Sequence, residues 1–81
     1  MVYDIVTDVF LEQFKKDGIK EEVENAIKEM QKLTHGEAVK VAQNGETKTC
    51  LQKEYLFNID EKEIKIIFIK NGGSLYAAVI K

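Results

Sequence analysis

Eighty-one residues make one small domain, of a size that buries only ~60% of its unfolded surface. Hydrophobic residues make up 44% and charged residues 32%, with no Pro, five Gly and one Cys, which excludes disordered, collagen-like and disulfide-stapled chains. No apolar run approaches the ~20 residues of a membrane span, MVYDIVTDVF lacks the basic start of a signal peptide, and a single Cys suits the reducing cytosol.

All twelve basic residues are lysines, against fourteen acids, for a net charge of −2. The charge is uneven. Residues 1–36 hold five Lys and eight acids, a net of −3, and residues 37–81 hold seven Lys and six acids, a net of +1. The apolar period changes at the same place, from helical to alternating.

Residues 1–16 allow two readings. Val2, Ile5, Val6, Val9 and Phe10 have helical spacing, so the chain can open on a helix. Alternatively Val2–Val6 is a strand, and Thr7 or Asp8 caps a short helix carrying Phe10, Leu11 and Phe14. The second reading supplies a cap and explains the β-branched cluster before Thr7, so it is preferred. After the Asp17-Gly18 break, Ile19, Val23, Ala26, Ile27, Met30 and Leu33 form one continuous face and predict a helix from about Ile19 to Thr34. Glu21 and Glu22 suit its first turn and Gly36 the position beyond its end.

Strands are predicted after Gly36. Asn44-Gly45 between Val39-Val41 and Thr47-Thr49 is a strong hairpin signal. Residues 53–59 alternate, with Tyr55, Phe57 and Ile59 on one face. Asp60-Glu61-Lys62 marks the next turn. In 63–70, Ile64, Ile66 and Phe68 take one face while Ile67 and Ile69 take the other, the mark of a central or doubly covered strand. Asn71-Gly72-Gly73 turns the chain into a last strand, SLYAAVIK. The expected fold is α+β and two-layered: a helical hairpin on an antiparallel β-meander, in the order β-α-α-β-β-β(-β), with α-α-β-β-β-β as the alternative.

The sequence holds no phosphate-binding glycine loop, no HExxH, no paired CxxC and no EF-hand spacing, so no metal or cofactor is expected. His35, read as lying in the last turn of the long helix, has a cationic role there toward the helix dipole. Cys50, within a strand, reads as a small buried hydrophobe. The acids of Asp60-Glu61-Lys62-Glu63 read as a solvated turn. The lysines of the strand half carry more chemistry: Lys48, Lys53, Lys65 and Lys70 lie on or beside strands that also bear Tyr55, Phe57 and Phe68. Cations interleaved with aromatics can hold a nucleic-acid backbone and stack its bases.

Several strings resemble the RelE/ParE/HigB-like superfamily of toxins from toxin–antitoxin modules. Tyr3-Asp4-Ile5-Val6-Thr7, with Phe10-Leu11 and Phe14-Lys15-Lys16, looks like that family's first strand, cap and first helix. Tyr55-Leu56-Phe57-Asn58-Ile59 and Glu63-Ile64-Lys65-Ile66-Ile67-Phe68 look like two of its successive strands, and Leu75-Tyr76-Ala77-Ala78-Val79 like its last. The resemblance implies a toxin of a type II module, an mRNA endonuclease or a degenerate relative. It makes Lys65 the catalytic phosphate contact, with Lys48, Lys53 and Lys70 binding nucleic acid. Asn58 stands where the family's first strand arginine would be, and Lys65 keeps charge at the second without the bidentate fork. The implied partners are an antitoxin, and RNA or the ribosome. The alternative reading is a non-catalytic protein-binding module or inhibitor, of phage or mobile-element type, acting through the acidic helical face or an exposed sheet face. The two-sided strand around Ile67 and Ile69 adds a homodimer to the expected partners.

Overall fold

The computed structural model describes residues 3–43 and 45–80. Along the chain these form β1 (Asp4–Ile5), α1 (Asp8–Glu12), α2 (Lys20–Lys32), β2 (Glu37–Gln43), β3 (Glu46–Ile59), β4 (Lys62–Asn71) and β5 (Ser74–Ile80). The chain therefore opens on a strand. Val2 of the expected first strand and Asn44 of the expected hairpin turn lie outside the described residues.

The cap decides the start. Thr7 is extended, and its hydroxyl accepts from the Phe10 amide at 3.4 Å, satisfying one amide of the first turn. This sets α1 after β1, and α1 buries Phe10. Gly18, at φ +73°, turns the chain into α2 in the left-handed region that glycine enters without steric cost. Val23, Ala26, Ile27 and Met30 are the buried side of α2, as its period requires. The helix ends at Lys32, so His35 stands in an exposed bend beyond it and not in its last turn.

One antiparallel sheet of order β1-β5-β4-β3-β2 holds all five strands. β4 is the middle strand, which is why its sequence is apolar on both sides. The Asp60-Glu61 turn has φ of +45° and +66°, the left-handed pair that hairpin turns of this length use, and Lys62 already belongs to β4. β3 runs unbroken for 14 residues. It pairs with β2 through residues 46–52 and with β4 through residues 51–59, so β2 and the start of β3 reach past the rest of the sheet as a two-stranded arm.

Strand alternation divides the sheet into two faces. The helices cover the face bearing Ile64, Ile66, Phe68 and Ala77, which join Phe10, Phe14, Ile19, Val23, Ala26, Ile27 and Met30 in the main core. Each of the large apolar side chains fully withdrawn there contributes roughly 1.5–3 kcal/mol. Phe10 meets Phe14 edge-on at 5.3 Å, and Tyr55 meets Phe68 the same way at 5.5 Å. Cys50, Ile67, Ile69 and Ala78 are also buried, but they belong to the outer face, away from the helices.

Candidate functional site

The four lysines singled out from the sequence fall on both faces. Strand register puts Lys65 in the outer row Leu56–Lys65–Ile80, across β3, β4 and β5. Its Nζ lies 3.4 Å from Glu54 Oε1. Lys48 is exposed on the arm, opposite Val41, on the same outer face. Lys53 and Lys70 point to the helix side. Lys53 lies opposite the core residue Phe68, and Lys70 between Leu51 and Leu75.

Lys70 has a specific task there. Its Nζ donates to the carbonyl oxygens of Gln31 at 2.7 Å and Leu33 at 3.0 Å. These lie at the C-terminal end of α2, where carbonyls lose their intrahelical partners and the dipole favours a cation. The position that sequence assigned to His35 is filled by a lysine from β4.

Lys53 belongs to a three-residue cluster between sheet and helix. The Tyr55 hydroxyl donates to Glu29 Oε2 at 2.7 Å, and Lys53 Nζ lies 3.5 Å from the same oxygen and 5.0 Å from the Tyr55 ring centre. The Tyr55 hydrogen bond, then the Lys53 charge, holds the Glu29 carboxyl below its usual range. Burial, then the bond to Glu29, pushes the Tyr55 phenol up. The Tyr55 hydroxyl, with Glu29 beside it, raises Lys53. All three shifts fix the charge states these groups already hold near neutral pH: carboxylate, phenol and ammonium. None is moved toward neutrality, as a general base or an amine nucleophile requires. The cluster is a tie between layers.

Two open clefts flank the chain leaving α2. One, of about 420 Å³, is lined by Glu29, Lys32, Leu33, Thr34, His35 and Lys53. The other, of about 370 Å³, lies on the far side of Leu33 and Thr34, against Leu51 and Lys70. His35 has no hydrogen bond or ion pair among the described residues. Cys50 is buried, with Sγ 3.9 Å from the Lys48 carbonyl. No group of three His, Cys, Asp or Glu side chains among the described residues is arranged to hold a metal ion. No helix among them is long and apolar enough to cross a membrane.

The outer face carries the less expected surface. Ile5 is 58% exposed, Leu56 54% and Ile80 40%. Leu56 and Ile80 flank Lys65 in one row, and Ile5 lies beside Tyr76 two rows away. The one row between holds Ile67 and Ala78 beside Glu54, and Ile69 stands in the row of Tyr76 beside Gln52, so the face is apolar across β5 and β4 and reaches β3 at Leu56. Its charged members in the three rows from Gln52 to Leu56 are Glu54 and Lys65, which pair with each other, and Glu37 at the β2 margin. Scans against protein-family models, curated proteins and solved structures give no match to this chain.

Proposed function

We propose that this protein is a non-catalytic, cytoplasmic protein-binding module that engages its partner through the outer sheet face. The observation that carries the reading is the row Leu56–Lys65–Ile80. It exposes two large apolar side chains on a face that no helix covers, around a lysine already matched by Glu54. Exposed apolar side chains gathered on one face mark interaction surfaces, whereas singly scattered ones do not.

A toxin-like reading keeps one support, the order β-α-α-β-β-β-β, which is the order the family resemblance implies. Its ribonuclease form asks Lys65 and its three supporting lysines to meet one phosphate backbone. Lys65 and Lys48 lie on one face and Lys53 and Lys70 on the other, and three of the four are engaged within the chain. Induced expression separates the two readings. The binding module leaves mRNA intact, and Leu56→Lys abolishes whatever cellular effect the wild type has. Cleaved mRNA that Lys65→Ala restores to full length would refute the module and establish the nuclease.

A further inference from the structure

We infer that β3 pairs edge to edge with the β3 of a second copy of this chain, through residues 55–59. The contact runs along an edge of the sheet and does not depend on what the outer face binds. β2 pairs with β3 only as far as Gln52, so from Lys53 to Ile59 β3 has β4 on one side and no strand among the described residues on the other. The free main-chain groups follow from the hairpin. Ile59 and Lys62 close the two-residue turn as a hydrogen-bonded pair. Bonded pairs alternate in an antiparallel ladder, so Phe57 and Tyr55 also bond to β4, and Glu54, Leu56 and Asn58 direct N–H and C=O to the open edge.

This edge is unguarded. Edge strands are ordinarily blunted by a lysine, a proline, a bulge or a covering element. Tyr55-Leu56-Phe57-Asn58-Ile59 holds no charge and no Pro, and its register with β4 is unbroken. Tyr55 and Phe57 face the helix side opposite the buried Ile66 and Ile64, yet both stay half-buried, as does Ile59. The main core is unfinished along this one strand.

The same segment of a second copy supplies what is missing. A two-fold axis normal to the sheet, beside Phe57, sets helix-side residues against helix-side residues. Phe57 then meets Phe57 of the second copy, Tyr55 meets Ile59, and Leu56 meets Asn58, whose outward N–H and C=O groups bond in pairs. The span fits as well. In this register strand and turn of the second copy, residues 55–61, lie beside residues 53–59, and β2 resumes opposite Gln52, so the hairpin end fills the step in the sheet without meeting β2. The turn brings Glu61 of the second copy beside Lys53, and Asp60 beside Glu54, whose charge Lys65 offsets at 3.4 Å. α2 packs on β4, so the two copies of α2 run three strand spacings apart, ~14 Å, which exceeds a helix diameter.

Sedimentation equilibrium of the full chain, from micromolar to roughly millimolar concentration, tests this. The wild type is expected to approach twice the monomer mass. Asn58→Pro removes an N–H that β4 does not use, at a place where an edge strand tolerates proline. It is expected to keep the wild-type circular dichroism and to weaken dimerisation at least tenfold. Amide hydrogen exchange reads the same edge in the wild type: the Leu56 and Asn58 amides are expected to exchange slowly where the mass is doubled, and at least tenfold faster on dilution to monomer. A wild type that stays monomeric throughout overturns the proposal. So does a folded Asn58→Pro that dimerises as the wild type does, or a dimer in which both amides exchange as fast as in the monomer, because the contact then lies elsewhere. If Asn58→Pro does not fold, the wild-type exchange rates decide. Asn58→Pro leaves Leu56 and Ile80 in place, so its outcome is separate from the expression test of the outer face.

Discussion

Lys70→Met removes the ammonium that closes α2 and keeps most of the apolar stem, so it isolates the cap from packing. Two carbonyls lose a charged donor, at 2.7 and 3.0 Å, one of the bonds exposed and one part-buried. A hydrogen bond to a charged group is worth about 1.5–3 kcal/mol when well formed and shielded. A cation at an exposed helix C-terminus is worth roughly 0.3–1 kcal/mol. Exposure of the Gln31 bond puts the sum toward the low end, about 1–2 kcal/mol. For a domain of this size that is a fall in melting temperature of roughly 5–10 °C. Thermal unfolding by circular dichroism at pH 7 reads it, with His35→Ala as the comparison. His35→Ala is expected to leave the melting temperature within about 1 °C, because its imidazole lies beyond α2 and makes no bond among the described residues. If His35→Ala lowers the melting temperature and Lys70→Met does not, the histidine is the functional cap and the assignment of Lys70 is wrong.

Three further outcomes follow from the same contacts. The Glu29 carboxyl is depressed by Tyr55 and Lys53, so its contribution is fully present above the ordinary value of 4.5 and is lost as pH falls through the lower folded-state value. The melting-temperature difference between wild type and Glu29→Gln should therefore shrink below pH 4.5, and a difference that grows with acid would refute the tie. Asp60→Asn with Glu61→Gly places the residues hairpin turns prefer at φ +45° and +66°, and should stabilise by about 1 kcal/mol in urea unfolding. A lower urea midpoint would show that the native side chains compensate for the backbone. Phe68→Ala empties a fully buried site against Tyr55 on the central strand, at a cost of about 3–5 kcal/mol. Set against the roughly 4–12 kcal/mol of a whole domain this size, near-complete loss of the folded signal in mild urea is expected; a midpoint that barely moves would place the core elsewhere.

Most of the fold was legible in the sequence because its signals are local. Thr7 three residues before Phe10 gives the cap, the period of Val23 to Met30 gives α2, and Asp60-Glu61 and Asn71-Gly72-Gly73 interrupt alternating runs. The two-sided pattern of Ile64 to Ile69 even announced the middle strand. The site was less legible, for a physical reason. Alternation assigns each lysine to one of two faces, but not what lies over that face. Glu29 is 26 residues from Tyr55, and Gln31 is 39 from Lys70, so only the docking of α2 on the sheet brings them together. The His35 reading failed at a boundary. A helix two residues shorter than its apolar period allows moves a last-turn residue into the bend beyond it.

The absence of arginine is consistent with this arrangement. A guanidinium is suited to gripping a phosphate by two parallel bonds, whereas an ammonium on a long flexible stem can reach a single acceptor or a pair of carbonyls wherever they lie. Lys70 uses its reach to find two helix-end carbonyls, Lys53 to lie over Tyr55 beside Glu29, and Lys65 to meet Glu54 diagonally on the neighbouring strand. These contacts engage three of the five lysines of β3 and β4, leaving Lys48 and Lys62, in holding the layers and matching Glu54. The potential left for a polyanion is therefore small. What the outer face retains is the exposed apolar area of Ile5, Leu56 and Ile80 beside the Glu54–Lys65 pair, area that water solvates at a cost.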